Sequence, residues 1–167
     1  PILYSCYSTN TNSKPIVEDS FFVLDQHQKS LTINCKDSKD NRPVLSIFRR
    51  FSSPVIFESD LSIDDYFFLI LNDNDYFTKW DSCQYLMRKI IINRIDCKAD
   101  NSFEKRFIEV IQQSIKNLES KDPFFLATLM TIPGASEFER SFKKVNPIAI
   151  HKEIYDFQVS IGLVIAD

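Results

Sequence analysis

The chain has 167 residues, of which 44% are apolar and 26% charged, with a formal net charge of −3. This is the usage of a packed, folded chain rather than a disordered one, and the length suits one domain or two modules sharing an interface. Basic residues are scattered, with Arg49–Arg50 and Lys143–Lys144 the notable pairs, so the Lys/Arg stripe that nucleic acid requires is missing; no apolar run approaches the ~20 residues of a membrane span.

Up to about Glu58 the pattern is that of strands. Ile2–Tyr7, Phe21–Leu24, Ser30–Asn34 and Val55–Phe57 are short runs rich in β-branched or aromatic residues, separated by polar turn material at Thr9–Lys14 and Lys36–Asn41. Such spacing predicts an antiparallel sandwich, and four or five strands predict a partial one. From Leu61 the period becomes helical. Ser62 and Asp65 have capping-box spacing, followed by Phe67, Phe68 and Leu71 on one face. Asn72–Asp75 breaks that helix, and a second is predicted from Tyr76 to Arg94, with Trp80, Cys83, Met87, Ile90 and Ile91 inward. On this spacing Trp80 is a core anchor rather than a stacking platform for a ligand.

A third helix is predicted over Ser102–Glu119, with Phe103, Phe107, Val110, Ile111, Ile115 and Leu118 inward. Asp122–Pro123 places an acceptor at the cap and proline in the first turn of a fourth, which ends before Ile132–Pro133–Gly134. Ser136 and Glu139 repeat the capping-box spacing, and Asn146–Pro147 opens a last helix running to the C-terminus. Short links between helices favour antiparallel neighbours, so the fold class is α+β: a partial antiparallel β-sandwich followed by an antiparallel helical bundle or solenoid.

Residues suited to chemistry are few and dispersed. Cys6, Cys35, Cys83 and Cys97 form no C-x-x-C pair, and only His27 and His151 could join them. Zinc sites show closely spaced ligand pairs, so four free, mostly buried thiols are expected. No N-x-[ST] acceptor occurs either, and together these lean towards a reducing, cytoplasmic setting. Carboxylates cluster at Asp64–Asp65, Asp73 with Asp75, and Glu137 with Glu139, where helix starts account for most of them. Asp73–Asn74–Asp75 is similar to part of a calcium loop but lacks its Gly and its distal Glu. No residue is therefore assigned a catalytic, cofactor-binding or metal-binding role.

Three segments, in order, resemble the aminopeptidase N family of zinc peptidases. Pro43-Val44-Leu45-Ser46-Ile47-Phe48-Arg49-Arg50-Phe51-Ser52-Ser53-Pro54-Val55 is similar to the family's P-V-P-S-L-L-R-G-F-S-A-P-V. Asp75-Tyr76-Phe77-Thr78-Lys79-Trp80-Asp81-Ser82-Cys83-Gln84 is similar to D-P-F-N-R-W-[DE]-A-x-Q. Ile132-Pro133-Gly134 with Glu137, then Asn146-Pro147-Ile148-Ala149-Ile150-His151, are similar to L-P-[GS]-x-x-E and D-P-x-A-I-H. Arg50 stands where the family has Gly, which argues against a positive φ at that position; Leu45 stands for Pro, Cys83 for a small residue, and Asn146 for Asp with the capping function kept.

The resemblance implies a place inside a larger enzyme. Residues 1–60 would be the end of the immunoglobulin-like β-sandwich domain, and 61–167 the N-terminal part of the C-terminal helical domain. The first residue is Pro1, not Met, and the H-E-x-x-H zinc site and G-A-M-E-N motif of the family would lie upstream. The implied cofactor is zinc, in the parent's catalytic domain and not in this segment. The implied partners are that domain, the rest of the helical domain, and the peptide substrates of the parent. If both domains continue beyond the chain, strands near Pro1 and the last helix should each expose an apolar face. Two alternatives stay open: a non-enzymatic helical scaffold or interaction module, and a degenerate paralogue without the metal site.

Overall fold

The computed structural model describes residues 1–9, 14–34, 42–118, 122–138 and 146–166. The chain divides into two compact units, Pro1–Asp81 and Ser82–Asp167.

The first unit is built on a three-stranded sheet of order β2-β1-β3, both pairs antiparallel, from β1 (Ile2–Ser8), β2 (Pro15–Phe22) and β3 (Pro43–Ile47). Tyr4 pairs with Ser20 on one side and Ile47 on the other. As the central strand, β1 is buried along nearly its whole length, whereas the edge strand β2 exposes Ile16 and Phe21. The β1–β2 register shifts between Tyr4 and Cys6, and opposite that shift Asp19 takes φ 43°, the local disruption typical of a bulge.

Two short runs read as strands, Ser30–Asn34 and Val55–Phe57, are irregular and largely exposed. Their composition suits a strand, but pairing partners decide whether one forms, and among the described residues neither finds one. Near Pro1, Ile2 and Tyr4 are buried, whereas Phe21, the partner of Leu3 on β2, is exposed. The Thr9–Lys14 and Lys36–Asn41 turns lie largely outside the described residues, as does Cys35.

Helix α1 (Ile63–Asn72) begins as its sequence requires. The Ser62 hydroxyl accepts the Asp65 amide at 3.2 Å, and the Asp65 carboxylate accepts the Ser62 amide at 2.7 Å. Its apolar face joins the sheet in a core of Tyr7, Val44 and Leu69, with Leu61 and Phe68 packed on it. The Tyr7 and Phe68 rings meet edge-on at 5.9 Å. The first residues of α2 (Tyr76–Ile95) complete this unit. Trp80 is half-buried beside Phe77, at 5.8 Å between ring centroids, and is less enclosed than its helical spacing predicts.

The second unit is helical: the remainder of α2, then α3 (Asn101–Leu118), α4 (Pro123–Leu129) and α5 (Pro147–Ala166). Cys83, Leu86, Met87, Ile90 and Ile91 form one buried stripe, and Phe103, Phe107, Val110 and Ile111 another, both at the three- and four-residue steps of a helix face. Phe107 packs on Phe157 at 6.0 Å, and the Arg94 guanidinium lies 5.2 Å above that same Phe157 ring while it is bound by Glu104 at 2.6 and 3.0 Å.

Both cap-plus-proline devices operate. Asp122 accepts the Phe125 amide at 2.9 Å, and Asn146 accepts that of Ala149 at 3.2 Å. Glu139, Lys143 and Lys144 lie outside the described residues. The described part of that stretch is a short 3₁₀ turn, Ala135–Glu137, in which the Glu137 carboxylate accepts the Gly134 amide at 3.1 Å. α5 is apolar on two sides: Ile150, Phe157 and Ile161 are buried, while Ile148, Tyr155, Val159 and Leu163 are exposed on the opposite face. The α+β class and the helical array are thus as the sequence predicts.

Candidate functional site

The most constrained chemistry in the described residues is a buried charge cluster in the first unit. It is centred on Arg49, whose side chain is 2% exposed. On β3, Val44 and Ser46 face inward at two-residue spacing, as the pleat dictates. The chain then leaves the strand through three residues in the left-handed region, Phe48 (φ 58°), Arg50 (φ 53°) and Phe51 (φ 54°). Arg50 therefore adopts the positive φ that its side chain disfavours, contrary to the expectation from the exchange of Gly for Arg. The tight turn drives the Arg49 guanidinium inward while leaving Arg50 at the surface.

Arg49 donates through all three nitrogens of its guanidinium. Its Nε donates to Asp19 Oδ1 at 2.9 Å, and Nη1 donates to Ser46 Oγ at 2.9 Å and to Asp73 Oδ1 at 2.7 Å. Its Nη2 donates to Asn74 Oδ1. The Tyr7 hydroxyl donates to Asp73 Oδ1 at 3.0 Å, and the Asp75 amide adds a third kind of donor to that oxygen at 2.8 Å. Asp73 Oδ2, equally buried, has no hydrogen-bond partner among the described residues. The Asn74 side-chain amide reaches out to Glu18 at 3.0 Å. The guanidinium thereby joins residues of β2 and β3 to the α1–α2 linker, and Tyr7 of β1 reaches the same linker through Asp73.

The linker also opens α2. Asp75 Oδ1 accepts the Thr78 amide at 2.9 Å and its hydroxyl at 3.0 Å, and the Asp75 carboxylate accepts the Arg50 amide as well. Asp75 is thus a helix cap that also secures the left-handed turn. Lys79 is buried beneath the end of α1, where its ammonium donates to the carbonyls of Ile70 at 2.7 Å and Leu71 at 3.2 Å. Carbonyls in the last turn of a helix have no intrahelical donor, and a cation there also complements the helix dipole.

Burial and neighbouring charge shift three groups of the cluster. Burial works against the charge on Arg49, but the Asp73 carboxylate outweighs it and holds the guanidinium pKa above its ordinary value. Burial, with the Asp73 charge, pushes the Tyr7 phenol up to about 12. Burial pulls Lys79 down to about 8, opposed in part by Asp73. General acid–base work needs a group near the working pH that can reach a substrate. Of these three Lys79 approaches that range, and it is enclosed and bound to main-chain carbonyls. The arrangement suits a structural clamp rather than proton transfer.

The other residues weighed from the sequence do not gather into a site. His27 and His151 are exposed and far apart in sequence. Asp65 is engaged in the α1 capping box and pairs with Arg42. Glu137 binds Arg88 at 3.1 Å as well as its own turn. Cys83 is fully buried, which raises its thiol pKa, and lies 3.5 Å from the Leu129 carbonyl; Cys97 is exposed. No group of three or more His, Cys, Asp and Glu that could hold a metal ion is found among the described residues. No helix among them is long and apolar enough to cross a membrane.

Comparison with known proteins places this geometry. Residues 63–167 match the family described as Domain of unknown function (DUF3458_C) ARM repeats. The chain is 31% identical over 129 residues to a protein of Caulobacter vibrioides named Aminopeptidase N, a match covering 77% of this chain and 14% of that protein. Among solved structures, aminopeptidase A of Legionella pneumophila in complex with aspartic acid matches with a TM-score of 0.75 and 21% identity, over 97% of this chain and 18% of that one. The chain therefore spans about one seventh of the curated relative it matches. With its helices from Ile63 onward matching the ARM-repeat model, the chain belongs to the aminopeptidase N family.

Proposed function

We propose that this chain is a non-catalytic, architectural part of a zinc-dependent aminopeptidase that removes N-terminal residues from peptides. In this reading residues 1–60 close an immunoglobulin-like sandwich and 61–167 begin the C-terminal helical domain, bracing a catalytic domain elsewhere in the same polypeptide. The observation that carries it is the ARM-repeat match beginning at residue 63, where the chain turns from sheet to helix. The clamp around Arg49 supports an architectural role, because its guanidinium is bound to Asp19, Ser46, Asp73 and Asn74 of the same unit. Zinc, the peptide substrates and a cytoplasmic setting belong to this proposal.

The test is made on two proteins in parallel. The complete polypeptide encoded by the gene is expected to bind zinc stoichiometrically and to release N-terminal residues from peptides in a chelator-sensitive way. The 167-residue chain should do neither. Zinc and chelator-sensitive activity in the short chain would overturn the architectural reading. Their absence from the complete polypeptide would favour the scaffold or the degenerate paralogue.

A further inference from the structure

We propose that the Arg49 cluster is a latch that makes the sheet and α1 a single cooperative unit, so that α1 opens with the strands and not with the helical array whose family model includes it. Three independent features carry this. In the first unit α1 shares a buried core with the sheet, formed by Leu69 with Tyr7 and Val44, that is, with β1 and β3. Its C-terminal end is tied by Asp73 and Asn74 to Arg49 and Tyr7, at separations of 24 to 67 residues along the chain. Its last carbonyls are held by Lys79, which lies within the same compact unit, Pro1–Asp81.

Partial opening of a protein follows contiguous sets of buried contacts rather than sequence-family limits. Detaching α1 while the sheet persisted would strand a buried guanidinium among half its partners. Detaching the sheet while α1 persisted would strand Asp73, whose side chain is 0% exposed. Either state gives up the buried ion pair and the hydrogen bonds around it. The two elements therefore open together, although the family model takes α1 with the helices that follow it. The inference does not depend on the activity of the parent protein.

Hydrogen exchange on the whole chain tests it. In wild-type protein at rising, sub-denaturing urea, slowly exchanging amides of β1, β3 and α1 should converge on one opening free energy and one urea slope, distinct from those of α3 and α5. In Arg49→Met, peptides from β1, β3 and α1 should lose protection together, by roughly tenfold or more, while α3 and α5 keep theirs. If Arg49→Met fails to fold, the wild-type urea series alone decides. Exchange of α1 in step with α3, or protection of α1 that persists when β1 and β3 have lost theirs, would overturn the proposal.

Discussion

Replacing Arg49 with Met keeps much of the side-chain volume and removes the charge. The guanidinium donates to Asp19, Ser46, Asp73 and Asn74. Asp19 is partly exposed and can recover water, and Ser46 can turn to Thr78, 3.2 Å away. Asp73 cannot recover in this way: its side chain is fully buried, and it would keep only the Tyr7 hydroxyl and the Asp75 amide. Breaking one half of a buried ion pair costs about 3–5 kcal/mol. At about 4 kcal/mol the folded-to-unfolded ratio falls roughly a thousandfold, and a urea midpoint falls by about 2–3 M for a slope near 1.5 kcal/mol/M. Trp80 is the single tryptophan and sits in the first unit, so its fluorescence reports the transition there. Because the cost resides in the stranded carboxylate, Asp73→Asn in the Arg49→Met background should recover about 1.5–2 kcal/mol relative to additivity. A loss below about 1 kcal/mol, or strictly additive single changes, would refute the account of Arg49 as the charge that Asp73 requires.

Alkaline stability should show two opposed limbs. Lys79 titrates at about 8 in the folded chain against an ordinary 10.5, so between those values the unfolded chain binds more protons and stability rises with pH; Lys79→Met should abolish that rise in urea midpoints. Tyr7 is raised from 10.0 to about 12, so its contribution is complete below pH 10 and is lost as the pH climbs through 12, a decline that Tyr7→Phe should remove. In the native chain iodoacetamide should modify Cys97 and leave Cys83 untouched until unfolding, as read by peptide mass spectrometry; prompt labelling of Cys83 would contradict its burial. Arg50→Gly should stabilise by about 0.5–1 kcal/mol in the same urea assay, since glycine occupies the left-handed region without the steric cost and the lost Asp19 contact is at the surface.

The helices were legible because their signals are local. Ser62 with Asp65, Asp122 before Pro123, and Asn146 before Pro147 each act within three residues, and all three caps form. Strands were harder to read, since Ser30–Asn34 has the same residue types as β1 but no partner among the described residues. In the sequence the charge cluster is dispersed: Arg49 stands in a basic pair, and Asp73 with Asp75 falls among carboxylates that helix starts account for. What joins them is tertiary. Arg49 follows β3, whose Val44 and Ser46 face inward, and that strand is not among the runs read from the sequence. The positive φ at Arg50 was masked by its side chain, since a glycine there would have announced the turn. Trp80 shows the opposite error, where good helical spacing overstated burial at the edge of a stripe.

The two-sided α5 has a practical meaning for handling the protein. A helix that hides Ile150, Phe157 and Ile161 on one side while offering Ile148, Tyr155, Val159 and Leu163 on the other is built like the middle ply of a laminate. In dilute buffer the uncovered ply is an adhesive, and the chain should gather into reversible clusters as its concentration rises, bind environment-sensitive dyes, and be dispersed by mild detergent without losing its helices. Changing Tyr155 and Val159 to Lys and Glu would blunt the adhesive while leaving the buried side of the ply unchanged.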